Sequence, residues 1–413
     1  MRSASLTTGV IAVCAALLGV GAARAQDWPQ WRGPNRDGKA TGFTAPKTWP
    51  KELMEKWKVK VGEGVATPAL VGDKLYVFSR ESGSEVIRCL DAGTGKEVWK
   101  DSYEARGVSG PASGFTGPRC SPAVADGKVV TLGVHGKLSC FDAASGKRLW
   151  SKDDVKGEPR FSVSSSPIIV DGLVIAQLGG ESGGGIVAYD LASGEEKWKW
   201  TGDGPAYASP VLLTLGDTKA IIAMTAKKIV GVGVADGKLL WETSFPAGQM
   251  IYNAATPMVD GQTVLYGGNG NRGTRAVKIE KKGATFEGKE LWTNKENSVK
   301  YNTPVIKNGL LFALSENNKL FCINVESGKT EWASALSGGA RGRNSGYGSI
   351  VDAGTVLLAL TPSGELIVFE PSDKELKQIA SYKVGAETYA YPIVAGNRVF
   401  MKDRDSVILW SIE

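Results

Sequence analysis

A repeat of about 40 to 50 residues constrains this chain more than any other feature of its sequence. The copy from Ser121 to Trp150 reads SPAVADGKVVTLGVHGKLSCFDAASGKRLW. It predicts four short strands separated by glycine-containing turns: one directly after Ser121-Pro122, then Lys128–Leu132, Leu138–Asp142 and Arg148–Trp150. Four antiparallel strands in a unit of this period are typical of one blade of a β-propeller.

The number of blades follows from counting the copies. The opening dipeptide recurs at Thr67-Pro68, Ser121-Pro122, Ser166-Pro167, Ser209-Pro210, Thr256-Pro257 and Thr303-Pro304, then in altered form at Ser349-Ile350 and Tyr391-Pro392. The unit closes on an aromatic residue: Trp99, Trp150, Trp198, Trp241, Trp292, Trp332 and, in the seventh copy, Tyr382. These recurrent tryptophans, and the Asp and Gly of the recurrent turns, are interpreted as packing residues that dock each blade on the next.

The eighth copy has no closing strand of its own. Its last residues, Val407–Ile412, match a third strand, whereas Glu55–Val59 near the other end matches a fourth strand with Trp57 in the tryptophan position. We therefore expect an all-β, eight-bladed propeller over residues 49–413, in which the N-terminal strand completes the last blade. This arrangement closes the ring and leaves no open sheet edge.

The N-terminal region indicates export. Residues 1–25 combine an early arginine, an apolar run and the small-residue site Ala23-Arg24-Ala25, a pattern typical of a signal peptide cleaved near Ala25. Lipid anchoring through Cys14 is disfavoured, because little apolar sequence precedes that cysteine. The apolar run is also too short to cross a bilayer, which needs about 20 residues. We therefore expect a periplasmic or extracellular protein with no transmembrane segment.

Residues 26–48 are predicted to form an irregular strap outside the repeat. The stretch from Gln26 to Trp49 contains three tryptophans, and we expect these side chains to pack on the outside of the blades; the alternative is that they contact a ligand. The motif Trp31-Arg32-Gly33-Pro34 within it is distinctive.

Charge and reactive residues exclude several kinds of function. The formal net charge is +6 and becomes +4 when Arg2 and Arg24 leave with the signal peptide. The basic residues are scattered, which argues against nucleic-acid binding. His135 is the single histidine, so neither a His-dependent catalytic triad nor a Cys/His metal site is predicted. Cys89, Cys140 and Cys322 share one strand position, where they are expected to be small buried residues rather than disulfide partners.

The loops that lead into the first strand of each blade should gather around one mouth of the channel, where binding sites on such scaffolds are usually found. The residues two places before the opening Ser or Thr are Val65, Arg119, Ser164, Tyr207, Ala254, Tyr301, Tyr347 and Tyr389. Rigid tyrosines with polar tips could bind a peptide segment, a glycan or a planar cofactor, with arginines attracting an anionic group; equally, they could simply fill the channel. The candidate binding residues are Arg119, Tyr207, Asn253, Tyr301, Arg341, Arg343, Tyr347 and Tyr389.

The repeat segments LSCFDAASGKRLW (138–150), IVAYDLASGEEKW (186–198) and LFCINVESGKTEW (320–332) resemble the pyrroloquinoline-quinone-type propeller repeat. Two classes share that repeat: BamB-like propellers of the outer-membrane assembly machinery, and quinoprotein alcohol dehydrogenases. Members of the second class resemble one another in a disulfide between adjacent cysteines that packs on the cofactor. No two cysteines adjoin in this chain.

The resemblance therefore implies a non-catalytic binding scaffold of the cell envelope, with an envelope protein or peptide, or a glycan, as partner and with no cofactor. Because a closed ring has little need of a second subunit, we expect a monomer. The alternative is a quinoprotein alcohol or sugar dehydrogenase, which would use pyrroloquinoline quinone with Ca²⁺.

Overall fold

Eight four-stranded antiparallel sheets make up this protein, as a computed structural model shows. The structure describes residues 27–180, 182–247, 252–336 and 346–412, so the predicted signal peptide lies outside the described residues. The predicted eight-bladed propeller is confirmed. Within the described ranges, no helix is long and apolar enough to cross a membrane.

The strands of the first four blades are as follows. Blade 1 contains β2 (Ala69–Val71), β3 (Lys74–Glu81), β4 (Ser84–Asp91) and β5 (Glu97–Glu104). Blade 2 contains β6 (Ala123–Ala125), β7 (Lys128–Leu132), β8 (Leu138–Asp142) and β9 (Arg148–Lys152). Blade 3 contains β10 (Ile168–Val170), β11 (Leu173–Leu178), β12 (Gly185–Asp190) and β13 (Glu196–Trp200). Blade 4 contains β14 (Val211–Leu215), β15 (Thr218–Met224), β16 (Lys228–Gly233) and β17 (Leu239–Ser244).

The other four blades repeat this order. Blade 5 contains β18 (Met258–Asp260), β19 (Thr263–Gly268), β20 (Gly273–Lys282) and β21 (Thr285–Asn294). Blade 6 contains β22 (Val305–Lys307), β23 (Leu310–Leu314), β24 (Lys319–Asn324) and β25 (Thr330–Ala335). Blade 7 contains β26 (Ser349–Ala353), β27 (Val356–Leu360), β28 (Glu365–Glu370) and β29 (Lys377–Lys383). Blade 8 contains β30 (Ile393–Ala395), β31 (Arg398–Lys402), β32 (Ser406–Ser411) and β1 (Met54–Lys60).

The ring closes as the sequence predicts. Strand β1 pairs antiparallel with β32, from Met54 opposite Ser411 to Lys60 opposite Ser406. The outermost strand of blade 8 therefore comes from the opposite end of the chain to its other three strands. Unfolding either end must break this pairing.

The recurrent tryptophans dock neighbouring blades, as expected. Six indole N–H groups each donate a hydrogen bond of 2.7 to 3.3 Å to a turn carbonyl of the next blade. The pairs are Trp57 with Ala92, Trp99 with Ala143, Trp150 with Leu191, Trp198 with Val234, Trp292 with Val325, and Trp332 with Ser372. The Tyr382 hydroxyl, in the seventh position, donates to the carbonyl of Pro50.

In the turn that accepts the Trp99 hydrogen bond, a glycine packs closely against the indole ring. A glycine of the Asp-Gly hairpin in the same blade has no such contact, so the two positions form a matched pair for substitution. Gly146 has φ = +75°, and an added Cβ would lie 2.5 Å from the ring of Trp99, whereas Gly127 has φ = +68° and nothing within 4 Å. Both alanine variants impose about 1 kcal/mol of backbone strain. We expect Gly146→Ala to lower the free energy of unfolding by about 1 to 2 kcal/mol more than Gly127→Ala, because it also overpacks the blade interface. Urea unfolding measures both, and equal losses would contradict this role of the turn.

The opening Ser and Thr residues form hydrogen bonds from blade to blade. The N–H of Ser121 donates to the Ser166 hydroxyl, and the N–H of Ser166 donates to that of Ser209, both at 2.9 Å. The series continues from Ser209 to Thr256 and from Thr256 to Thr303 at 2.9 and 3.0 Å. A hydroxyl recurs at this position because it accepts a hydrogen bond from the backbone N–H of the opening residue of the preceding blade.

The N-terminal segment is irregular, but only part of it packs on the outside of the blades. Trp49 does pack on an outer strand, with its ring centroid 6.3 Å from that of Tyr382. Residues 27–39, however, cross the central channel at the end opposite the loops that lead into the blades. Trp28 is 1% exposed and exchanges backbone hydrogen bonds with Leu70 of blade 1.

Two arginines hold this channel segment, residues 27–39, in place. Arg32 is fully buried and donates to the carbonyls of Thr303 and Pro304 in blade 6 and to the Tyr391 hydroxyl of blade 8. Arg36 is 3% exposed and donates to carbonyls of blades 3 and 4. The segment also bonds through its backbone to blades 1, 2 and 7, and so contacts seven of the eight blades and closes the channel at that end.

Candidate functional site at the channel mouth

One end of the ring carries the loops that lead into the blades. Successive strands of a blade alternate in direction, so each leading loop shares its end of the ring with the turn between the second and third strands. The Asp-Gly hairpins and the turns that contact the tryptophans lie at the opposite end. The channel segment closes that opposite end, which leaves the mouth formed by the leading loops open.

A cavity of about 850 Å³ occupies this mouth, a size within the range of about 300 to 1,000 Å³ that is usual for ligand sites. All eight residues two places before the blade openings line it: Val65, Arg119, Ser164, Tyr207, Ala254, Tyr301, Tyr347 and Tyr389. The alignment of the leading loops thus locates the cavity correctly. That these side chains bind a partner remains a prediction.

Three tyrosines form a continuous stack on one wall. The ring centroids of Tyr301 and Tyr347 are 4.1 Å apart, and those of Tyr347 and Tyr389 are 4.0 Å apart, with interplanar angles of 17° and 15°. The ring of Phe115 meets that of Tyr389 edge to face, with their centroids 4.8 Å apart. Burial raises the pKa of Tyr347 well above its usual range and that of Tyr389 to about 12. These phenols therefore keep their protons at neutral pH and can act as hydrogen-bond donors.

A second aromatic group, in the leading loops of blades 3, 4 and 5, also lines the cavity. Phe161 lies 4.5 Å from Tyr252 and 5.9 Å from Tyr207 between ring centroids. Tyr207 and Tyr252 meet at 5.9 Å with nearly perpendicular planes. The Phe161 N–H donates to the Tyr207 hydroxyl at 3.2 Å. These edge-to-face contacts fix the rings in favourable geometries before any ligand binds.

Arg119 is part of the cavity wall. Its guanidinium donates to the carbonyls of Ala112, Phe115 and Phe161 at 2.8 to 3.3 Å. Burial lowers the pKa of Arg119, while the phenol of Tyr347 opposes that shift. No carboxylate among the described residues lies within 4.0 Å of this guanidinium, so its charge is balanced only by carbonyl dipoles.

A glycine-rich loop covers one side of the mouth. It includes the 3-10 turn Gly110–Ala112 and reaches blade 8, where the Arg404 guanidinium lies 5.2 Å from the ring of Phe115. Arg404 also donates to the Gly114 carbonyl at 2.9 Å and pairs with Glu387 at 3.5 Å. The loop is thus held at both ends, since Arg119 binds it from the other side.

The floor of the cavity belongs to the channel segment and to blade 8. Trp31 lines the cavity, and its ring meets that of Tyr391 edge to face at 5.6 Å. Arg32 lies against both rings, at 5.5 and 5.3 Å from their centroids. The floor is therefore aromatic, with a fixed positive charge next to it.

The other predicted site residues have different outcomes. Asn253 is 2% exposed, and its side-chain amide donates to the carbonyls of Thr225 and Phe245 and accepts from Arg272. It is not among the residues that line the cavity; its side chain joins the turn after β15 to the end of blade 4, and that it binds a partner stays a prediction. Arg341 and Arg343 lie outside the described residues.

Several residues that line the cavity are not among the candidate binding residues named from the sequence: Trp31, Phe115, Phe161, Tyr252, Lys300, Glu387, Tyr391 and Arg404. Trp31 belongs to the motif already noted as distinctive, but nothing in that motif indicates the channel. Phe115, Phe161 and Tyr252 come from loops of unequal length, which share no alignment that could have revealed them.

Comparison with known proteins connects this architecture to two classes. Residues 36–211, 182–334 and 286–413 match the sequence profile of the family described as outer membrane protein assembly factor BamB. A quinohemoprotein alcohol dehydrogenase from Comamonas testosteroni is 29% identical over 43% of this chain, and the match spans only 26% of that enzyme.

Solved structures of both classes share the fold. BamB from Moraxella catarrhalis superposes with a TM-score of 0.61 at 16% identity, over 87% of this chain and 98% of that one. The dehydrogenase from Comamonas testosteroni superposes with a TM-score of 0.71 at 15% identity, over 95% and 81%. At such identities the likeness establishes the fold and leaves the function open.

Proposed function

We propose, since this chain belongs to the family of the outer membrane protein assembly factor BamB, that it is a non-catalytic scaffold of the cell envelope. In this proposal the cavity at the channel mouth binds a segment of another envelope protein. The signal peptide expected at residues 1–25 would bring the chain to that compartment.

The observation that carries the proposal is the chemistry of the mouth. Its wall is built from rigid aromatic rings with phenol groups, the residue type that supplies large contact area at low entropic cost in protein recognition. The ring positions are fixed by contacts with each other, such as the stack of Tyr301, Tyr347 and Tyr389. A preorganised surface of this kind loses little entropy on binding.

The alternative is a quinoprotein oxidoreductase, and the residues present fit its cofactor poorly. A planar quinone needs flat surfaces above and below it, but stacking already covers both faces of Tyr347 and one face each of Tyr301 and Tyr389. The adjacent cysteine pair of the quinoprotein alcohol dehydrogenases is also missing from the sequence. Cys89, Cys120, Cys140 and Cys322 are all buried and unpaired.

Titration with pyrroloquinoline quinone, with and without Ca²⁺, separates the two functions. We expect no saturable change in cofactor absorbance or in tryptophan fluorescence up to high micromolar cofactor. Saturable one-to-one binding that is lost in Arg119→Ala would overturn the scaffold proposal. Arg160→Ala is the matched control, because Arg160 is an exposed arginine near the mouth, 5.6 Å from the ring of Phe161, that does not line the cavity.

A further inference from the structure

The cavity at the mouth has one opening, and this limits what can enter it. The channel segment, residues 27–39, hydrogen-bonds to blades on all sides of the channel and places Trp31 at the cavity floor. A polypeptide cannot pass through from one end of the ring to the other. A bound segment must therefore enter and leave by the same mouth, either as a tight loop or as a chain end.

The charges that line the cavity favour an anionic group at the point of insertion. Among the described residues that line it, the cations are Arg119, Lys300 and Arg404, and the carboxylate is Glu387, which pairs with Arg404. Arg119 uses its terminal nitrogens for three carbonyl contacts, although a guanidinium has five N–H donors. It can therefore still donate to a carboxylate, and such charge-assisted hydrogen bonds are the stronger kind.

The aromatic rings near this guanidinium supply the second half of the site. Phe115 and Phe161 give their carbonyls to Arg119 and their rings to the cavity wall. Tyr207 and Tyr347 also lie close enough to influence its pKa. An aromatic side chain entering here can make edge-to-face contacts with these rings while its neighbouring anion reaches the guanidinium.

A chain end with a free carboxylate can enter and leave by one mouth and brings an anion to Arg119. If its last residue is aromatic, that side chain can also contact the surrounding rings. We propose that the cavity captures the carboxyl-terminal residue of a partner protein, with the terminal carboxylate on Arg119 and an aromatic last side chain among the surrounding rings. This inference rests on the proposed function and specifies which part of the partner is bound. An internal loop brings such an anion only where an aspartate or glutamate stands at its tip, whereas every free chain end carries a carboxylate beside its last side chain.

Short peptides test the proposal directly. The probes are the pentapeptides acetyl-Gly-Val-Ser-Gly-X, in which X is phenylalanine, tyrosine, tryptophan or alanine, each prepared with a free carboxylate and as the carboxyl-terminal amide. Isothermal titration of the mature protein should show that the aromatic free acids bind about tenfold more tightly than their amides. The alanine peptide should bind more weakly than the aromatic ones.

Variants connect this difference to one residue. In Arg119→Met the acid and the amide should bind equally, whereas Arg160→Met should retain the full difference. The acid-to-amide ratio of the unaltered protein decides the matter even if Arg119→Met fails to fold. Equal binding of acids and amides, no binding of any free acid, or a difference that survives in Arg119→Met would overturn the proposal.

The same set of results separates this inference from the proposed function. If acids and amides bind equally, and Tyr347→Ala weakens both, the mouth still binds peptides and only the role of the chain end is wrong. If no peptide binds and no partner contacts the mouth in the crosslinking experiment described below, the proposed function fails as well.

Discussion

Replacing Arg36 by methionine is expected to lower the free energy of unfolding by about 4 kcal/mol. The side chain is 3% exposed and donates to the carbonyls of Ser166, Pro167 and Pro210. These acceptors lie directly before the first strands of blades 3 and 4, where they face the channel segment. Burial lowers the pKa of Arg36 to about 9, so the cost of desolvating the charge offsets part of the stabilisation from its hydrogen bonds. In Arg36→Met, however, three carbonyls lose their hydrogen-bond donor.

Urea unfolding measures this loss, and Lys39→Met is the matched control. Lys39 belongs to the same segment, but its side chain is 48% exposed and lies 3.8 Å from Asp37, so its removal should cost no more than about 0.5 kcal/mol. A loss in Arg36→Met as small as in the control would mean that the channel segment is not a structural part of the ring.

Lys402→Met is expected to cost a similar amount, about 4 kcal/mol, at the point where the ring closes. The Lys402 ammonium, on β31, is fully buried and donates to the carbonyls of Gly62, Gly64, Asp403 and Arg404 at 2.7 to 3.2 Å. Gly62 and Gly64 directly follow β1, the strand that completes blade 8. The ammonium thus fastens the N-terminal part of the chain to the C-terminal blade.

The pH dependence of this effect has a definite sign. Burial lowers the pKa of Lys402 to about 8, against 10.5 for an ordinary lysine. The folded protein therefore bears the full cost of the buried charge below pH 8. Between about pH 8 and 10.5 the unfolded chain holds the proton more tightly, so the contribution of Lys402 to stability rises with pH, by at most about 1.4 kcal/mol per unit.

We accordingly expect the difference in unfolding free energy between the unaltered protein and Lys402→Met to grow from pH 7.5 to pH 9.5. Lys58→Met, in β1, is the control, since the Lys58 side chain is 49% exposed and lies 3.9 Å from Asp403. It should change stability by at most about 1 kcal/mol. A difference for Lys402 that is small, or that shrinks as the pH rises, would contradict this account of ring closure.

The fold could be predicted from the sequence because its determinants are periodic. The strands Lys128–Leu132 and Leu138–Asp142 are observed as predicted, and the fourth strand runs two residues past Trp150. Trp57 identified the closing strand because it occupies the same position as the other docking tryptophans. Each of these signals repeats several times, so no single residue had to be interpreted alone.

The channel segment could not be predicted for the opposite reason. Arg32 and Arg36 bind main-chain carbonyls that are more than 100 residues away, and a carbonyl has no signature in the sequence. The same applies to Asn253, whose side chain satisfies carbonyls of its own surroundings. The aligned tyrosines of the mouth were found because they follow the repeat, whereas Phe161 and Tyr252 do not.

Photo-crosslinking at the mouth tests the central claim most directly. p-Benzoylphenylalanine is placed at Tyr347, in the tyrosine stack, or at Glu326, in an exposed turn at the opposite end of the ring, and each protein is irradiated in an envelope extract of the source organism. We predict an adduct at Tyr347 whose mass-spectrometric fragments map to one segment of an envelope protein, with none at Glu326. Adducts of equal yield at both positions, or none at Tyr347, would contradict a binding site at the channel mouth.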